Sequence, residues 1–481
     1  MLKTEDIAVK QPLFIGGEWK EANEYDELRS PYSSEVITEI PKATSEETEA
    51  AIQAAENAQE EMQQLSAHER SNILIKLSTL LQENREKAAE LIAKEAAKPI
   101  ATARGEVDRT IQTYVFASQE ANQLYGETLP MDAAPGGERR LGYTVLEPLG
   151  TIGAITPFNF PMNLVAHKVG PAIATGNTIV LKPASQTPLS SFFLAELLQE
   201  AGLPDGAINV ITGSGRTVGN QIVTDERVNM ITFTGSPEVG KEIRSKAGLK
   251  KTVLELGSNS ALIVDEDVDL DNIISRCVQG AFTFQGQVCI SLQRIYVHES
   301  IYDTFLEKFV EETKTLTAGD PLEETTNVSA LISESDVERA LSWVQEAENE
   351  GAKVVTGASK QGNIVMPTVI TNVAPHLKVS CNEVFAPIVT IDPVSSVDEA
   401  IDKVNDSRFG LQAGIYTGDI QKAMKASDQL EVGGVMINDI PTFRVDHMPY
   451  GGVKESGTGR EGIRYSVKEM TEMKFVMVNN N

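Results

Sequence analysis

This 481-residue chain has little cysteine, no excess of basic charge and no long apolar run. Its three cysteines, Cys277, Cys289 and Cys381, are widely spaced and odd in number. That excludes a disulfide framework and a zinc-type cluster, so no metal is expected and a reducing cytoplasm is the expected home. Lysine and arginine total 42 against 69 acidic residues, a formal net charge of −27. Nucleic acid and anionic membrane both reward basic surface, so neither is an expected partner. No run of about 18 apolar residues is available to cross a bilayer. Acids at Met1-Leu2-Lys3-Thr4-Glu5-Asp6 stand where a signal peptide needs an apolar stretch. No internal repeat, low-complexity tract or linker stands out. What remains, 41% apolar with 6% aromatic and 23% charged residues, is the composition of a globular protein. The length sets a prior of about three domains.

Hydrophobic periodicity organises the chain. Thr44-Ser45-Glu46-Glu47 and Ser66-Ala67-His68-Glu69 read as capping boxes, a hydroxyl followed three residues on by glutamate. The second opens a long amphipathic helix, with Ile73, Leu74, Leu77, Leu80 and Leu81 on one face and an end near Pro99. A further helix is expected over Arg104–Leu124. From Tyr143 short apolar runs alternate with helices. Strands are expected at Ile152–Thr156, Thr178–Leu181, Ile208–Ile211, Met230–Phe233 and Thr252–Leu256. Helices between them are expected at Met162–Ala174, Leu189–Ala201 and Pro237–Ala247. A second series runs from strand Arg294–His298 through helices Ile301–Leu316 and Asp336–Asn349 to strand Val435–Asn438. Such alternation predicts parallel sheets covered by helices, an α/β fold. The segments Gly126–Tyr143 and Glu469–Val478 read as strands outside both series.

Two residues carry chemistry. Cys289 follows Gly286-Gln287-Val288, just past the helix-like run Asp271–Phe284. Glu255 lies in the apolar run Thr252–Gly257, where a carboxylate is costly to bury unless something uses it. A thiol and a water-activating carboxylate are what a two-step oxidation through a thioester needs. Singly, a lone cysteine is more often a core hydrophobe and a strand glutamate more often exposed or paired. Their shared place at the boundary near Gly257-Ser258-Asn259 suggests an inter-domain cleft. Other turns follow strand ends, where α/β proteins bind ligands. Pro157-Phe158-Asn159-Phe160-Pro161 holds one amide between two prolines. Lys182-Pro183-Ala184-Ser185 ends a strand, and Thr234-Gly235-Ser236 opens a helix whose free N–H groups suit a pyrophosphate. Gly213, Gly215 and Gly219 have the spacing of a phosphate turn with one extra residue, a weak signal alone.

In order and spacing these segments resemble the aldehyde dehydrogenase superfamily over essentially the whole chain. The carrying pieces are Pro157–Pro161, Lys182–Ser185, Phe233–Ser236, Leu254–Gly257, Gly286–Cys289, Glu383-Val384-Phe385-Ala386-Pro387 and the run Pro449–Gly462. The resemblance implies two Rossmann-like parallel-sheet domains and a small β oligomerisation extension. The dinucleotide-binding domain takes residues 1–123 and 144–256, the catalytic domain 257–440, and the extension 124–143 and 466–481. It also implies a homodimer or homotetramer. Cys289 then matches the nucleophile, Glu255 the general base, and Asn159 with the Cys289 backbone N–H the oxyanion hole. Glu383 matches the carboxylate on the nicotinamide ribose, with Phe385 beside it, and Lys182 the adenosine-ribose lysine. Thr156, Pro157, Phe158, Gly215, Gly219, Phe233, Gly235, Ser236, Val239 and Leu256 complete the expected dinucleotide contacts.

Ser185 departs from strictly NAD-dependent relatives, which often carry a glutamate there to bind the ribose 2′-hydroxyl. A small hydroxyl beside Lys182 leaves room and positive charge for a 2′-phosphate, so NADP is expected to be accepted alongside NAD, with a preference for NADP left open. Gly257-Ser258 and Asn259 also depart from the usual pattern, with no consequence legible in sequence. The implied reaction is oxidation of a small aldehyde to the acid. The alternatives are a coenzyme A-acylating semialdehyde dehydrogenase, against which Glu255 argues, and an inactive structural or binding homologue. Arg109 and Arg444 are candidates for an anionic substrate tail, and salt bridging is an equal reading for each.

Overall fold

The computed structural model describes residues 7–480. The signal-peptide reading of residues 1–6 lies outside them, as does the last residue of the C-terminal extension. Both capping boxes form: the Thr44 and Ser66 hydroxyls accept from the N–H groups of Glu47 and Glu69, whose carboxylates accept back from the cap N–H groups.

The first sheet has eight strands, in spatial order 18–20, 13–15, 208–210, 178–182, 151–155, 228–234, 251–255 and 457–458. Its five central strands are parallel, with Ile155 beside Lys182 and Thr234 beside Glu255. The register matters because it aligns the strands' carboxyl ends. Every motif singled out in the first half of the chain leaves the sheet at that edge. Gly457–Thr458 returns from far along the chain and pairs antiparallel with Leu254 and Glu255, locking the base of the Glu255 side chain.

Helix Asn163–Thr175 lies against this sheet and is buried along its whole length, Lys168 included. Helix Ile100–Ala121 packs on its outer side. The second sheet has seven strands, ordered 353–356, 368–371, 388–394, 294–298, 261–264, 412–416 and 434–437. A separate three-stranded sheet joins Thr471–Asn479, Arg140–Pro148 and Thr128–Leu129.

Three expectations need correction. The long helix opening at Ser66 breaks at Asn84 into Ala67–Glu83 and Arg85–Ala96. Asn84 closes the first piece by donating its side-chain amide to the Leu80 carbonyl. The helix read over Asp271–Phe284 ends at Phe282; Phe284 and Gln285 take left-handed conformations, with φ of 48° and 55°. Tertiary bonds hold them there, since the Gln285 amide donates to the carbonyls of Ala97 and Ala330. Strand Ala261–Val264 was not anticipated, although it is the central partner of two neighbours in the second sheet.

Candidate active site

The unwound turn delivers Cys289. Gly286 has a φ of 69°, and a Cβ on it would meet the Ala386 carbonyl at 2.3 Å, so only glycine fits against the Glu383–Pro387 segment. Cys289 lines two cavities at once, of about 460 and 580 Å³. Burial pushes its thiol up to about 11, against the pull of a Tyr450 hydrogen bond and the Arg444 charge. The Tyr450 hydroxyl lies 2.7 Å from Sγ.

Asn159 is placed beside it by an internal clamp. The fully buried Lys98 ammonium donates to the Asn159 carbonyl at 2.7 Å and to Glu106, and sits 3.8 Å from the Phe160 ring centre. Glu106 in turn accepts from the N–H groups of Met162 and Asn163, at the start of the buried helix. The Asn159 side-chain Nδ2 donates to the Gln287 carbonyl at 3.0 Å, tying this turn to the cysteine turn.

Glu255 ends its strand in the second cavity with both carboxylate oxygens buried and without a hydrogen-bond partner. Burial, and next the Glu461 charge, raise it well above the ordinary carboxylate range. Gly451 makes the space, because a Cβ there would come within 2.8 Å of the Glu255 carboxylate. Against its own burial, Glu461 is held down to about 2 by Lys168, His167 and Arg444. Lys168 donates to Glu461 at 2.8 Å and to Thr234 at 2.9 Å.

Glu383 shares this cavity. Burial lifts it to about 7, while it accepts from the Ser258 N–H at 3.0 Å. Gly257 is what allows the approach, since a Cβ there would meet the Glu383 carboxylate at 2.6 Å. At the two departures that follow, the Ser258 hydroxyl lies 2.9 Å from the Ser260 hydroxyl, and the Asn259 amide donates to the Ser380 carbonyl and accepts from Ser407. Phe385, at φ 50°, meets Phe158 edge-on at 5.7 Å. Pro157, Phe158, Gly235, Ser236 and Leu256 line the same cavity. Ser236 caps helix Pro237–Lys246 through the Val239 N–H.

Lys182, Gly215, Gly219, Phe233 and Val239 line a third cavity of about 620 Å³. Burial lowers Lys182 to about 8, and its ammonium has only a 3.4 Å contact with the Pro183 carbonyl. Arg216 and Lys246 also line it, with Glu242 opposing. Thr156 is buried with its hydroxyl unpartnered, and Ser185 is exposed beyond the strand end; neither lines the three cavities.

Arg109 and Arg444 line the 460 Å³ cavity with Cys289 and Phe160. Both are also salt-bridged. Arg109 grips Asp446 through two nitrogens at 3.0 and 2.7 Å, and Arg444 reaches Glu461 at 3.2 Å. The Arg444 side chain is 6% exposed, and its Nε is buried without a partner. Sequence reading missed Tyr450, Lys168, Glu461 and Lys98. A lysine directly after His167, inside the largely apolar run Leu164–Ile173, was the signal available for Lys168.

Comparison with known proteins decides what this arrangement is. The profile of the Aldehyde dehydrogenase family matches residues 19–476. The chain belongs to that family. It is an NAD(P)-dependent oxidoreductase of small aldehydes. The chain is 47% identical to the 3-sulfolactaldehyde dehydrogenase of Priestia aryabhattai, over 97% of this chain and 98% of that one. Aldehyde dehydrogenase 21 of Physcomitrella patens, solved with its product succinate, aligns with a TM-score of 0.96 and 40% identity over 98% of both chains. The glyceraldehyde-3-phosphate dehydrogenase of Methanocaldococcus jannaschii, solved with NADP, aligns at 0.92 and 42%, over 95% of this chain and all of that one.

Proposed function

We propose that this aldehyde dehydrogenase oxidises a small aldehyde with an anionic tail to the carboxylic acid, using NADP at least as well as NAD. The observation that carries the reading is the position of Cys289 where two cavities meet, arginines on one side and Glu255 and Glu383 on the other. The aldehyde enters between Arg109 and Arg444, and the Cys289 thiolate adds to its carbonyl carbon. The free proton of the Asn159 amide and the Cys289 N–H receive the oxyanion. When bound, the dinucleotide supplies the hydride acceptor. Glu383 and Phe385 hold its ribose end, the start of the helix after Ser236 its pyrophosphate, and Lys182 the adenosine ribose. The Lys182 ammonium, held by a long 3.4 Å contact with the Pro183 carbonyl, and the neighbouring Arg216 support room for a 2′-phosphate in the cavity they line, although Ser185 is not part of that lining. Glu255 then takes a proton from the water that hydrolyses the Cys289 thioester.

The tail reading is supported by the orphan N–H of Arg444 and by the aldehydes of the relatives. A sulfonate, a phosphate and a carboxylate stand at the far ends of the molecules those relatives are named for or bind. We assign residues 1–123 and 144–256 to dinucleotide binding, 257–440 to catalysis, and 124–143 with 466–481 to a pairing extension of a homodimer or homotetramer. No helix among the described residues is long and apolar enough to cross a membrane, and three free cysteines fit a reducing cytoplasm.

A kinetic screen of short aldehydes, matched in length with and without an acidic tail and run with both dinucleotides, tests this. A charge-assisted hydrogen bond is worth about 1.5–3 kcal/mol, so acidic tails should raise kcat/KM roughly 10- to 100-fold. Equal rates for neutral and acidic aldehydes would remove the tail from the reading. A wild type that ignores NADP would remove the cofactor preference.

A further inference from the structure

The aldehyde reaction as derived leaves one polar group at the reacting sulfur without a task. Tyr450 is 3% exposed, and its ring belongs to an apolar cluster with Phe284, Val288, Ile290 and Leu411. Its backbone is pinned on both sides, exchanging N–H and carbonyl bonds with Glu461 at 3.0 and 2.7 Å. The ring therefore has little freedom, and its hydroxyl points at Cys289 Sγ from 2.7 Å. Behind the ring, the Arg444 guanidinium stacks 3.7 Å from its centre.

We propose that the Tyr450 hydroxyl is a catalytic group that donates a hydrogen bond to the Cys289 thiolate, with Arg444 adding positive charge behind the ring. This rests on Cys289 being the nucleophile. The direction of donation follows from the surroundings. Burial and the Cys289 charge push the phenol well above its ordinary value, so it keeps its proton while the thiol ionises. The other charges facing the sulfur are Arg444, which favours the thiolate, and Glu383 and Glu255, which oppose it. With two carboxylates against one guanidinium in an apolar wall, the tyrosine supplies a donor that the thiolate otherwise lacks. Arg444 lines the aldehyde cavity as well, so the same residue that faces the substrate tail also polarises the donor at the thiol.

The test is the pH dependence of Cys289 alkylation by iodoacetamide, a neutral probe, in the full-length protein without dinucleotide. Labelling of the Cys289 peptide is followed by mass spectrometry alongside loss of turnover. Tyr450→Phe keeps the ring and the stack and removes only the hydroxyl. A hydrogen bond to a charged group shifts such an equilibrium by about 1–2 pH units, so the apparent pKa of alkylation should rise by that much. The rate near pH 7 should fall roughly 3- to 10-fold, less than the thiolate fraction does, because an unbonded thiolate of higher pKa is more nucleophilic. Placing 3-fluorotyrosine at position 450, a stronger donor of nearly the same shape, should move the profile the opposite way. A purely packing role for Tyr450 moves stability or KM and leaves both profiles on the wild type, which would overturn the proposal. Labelling of Cys289 that leaves turnover intact would instead remove the nucleophile reading beneath it.

Discussion

Glu255 and Glu461 are both buried carboxylates that feel each other's charge, yet they meet opposite fates. Glu461 has Lys168 and Arg444 within bonding distance and stays ionised; Glu255 has no partner and is driven toward its neutral form. Environments that push two titratable groups apart assign their roles, and here the unpartnered group is the one free to take a proton. The same shift works against stability. A raised carboxylate is fully favourable below its unfolded value, about 4.3, and that contribution is lost as pH rises through the folded value. For catalysis the sign reverses, because the base must be ionised to act. Thioester hydrolysis should therefore keep accelerating with pH beyond the ordinary carboxylate range in the wild type. Glu255→Gln should give a stoichiometric burst of reduced nicotinamide followed by slow turnover, with that rising limb flattened. Rapid-mixing absorbance across pH measures both. Loss of the burst itself would move Glu255 from water activation to thiol activation.

Among the elements, most strands and helices were legible, strand Ala261–Val264 and the break at Asn84 excepted, and the turns between them were legible only as motifs. Helix Leu189–Ala201 and strand Arg294–His298 fall where hydrophobic periodicity placed them, because local pattern and tertiary burial agree there. The break after Phe282 was not legible, since left-handed Phe284 and Gln285 are sustained by carbonyls nearly 190 and 45 residues away in sequence. The same holds for Tyr450, whose partner Cys289 is 161 residues distant. Asn159 sits between these cases. Its turn was read from two prolines, but its backbone carbonyl is held by the fully buried Lys98, 61 residues upstream, and its amide donates to the Gln287 carbonyl, 128 residues on. Asn159→Ala removes the proposed oxyanion donor while leaving the Lys98 bond to the backbone carbonyl in place. It should slow acyl-enzyme formation by about 10²–10³-fold, the usual loss for one such donor, with the melting temperature little changed. Single-turnover kinetics decides it, and an unchanged acylation rate would return Asn159 to the role of a turn former.

For the molecule as a whole, a net charge of −27 opposes self-association through long-range repulsion, so any oligomer must rest on local apolar contact. The three-stranded sheet offers it. Strand Thr471–Asn479 is an edge strand, paired on one side only, with Met473, Phe475 and Met477 at alternate positions 60%, 50% and 45% exposed. Alternation places those three on one face, and an unpaired edge with an apolar face is what natural proteins otherwise blunt. Burying each such side chain is worth about 1.5–3 kcal/mol. Met473→Glu with Met477→Glu replaces two of them by charges of the sign the molecule already has in excess. Scaled to the exposed fractions of the two side chains the lower bound is about 1.6 kcal/mol, so the double variant should weaken association by more than about 10-fold. Light scattering after size exclusion should show the mass falling to that of one 52.2 kDa chain, while circular dichroism stays that of the wild type. An unchanged oligomer mass would show that this face does not pair copies of the chain, and the assignment of 124–143 and 466–481 to a pairing extension would fall with it.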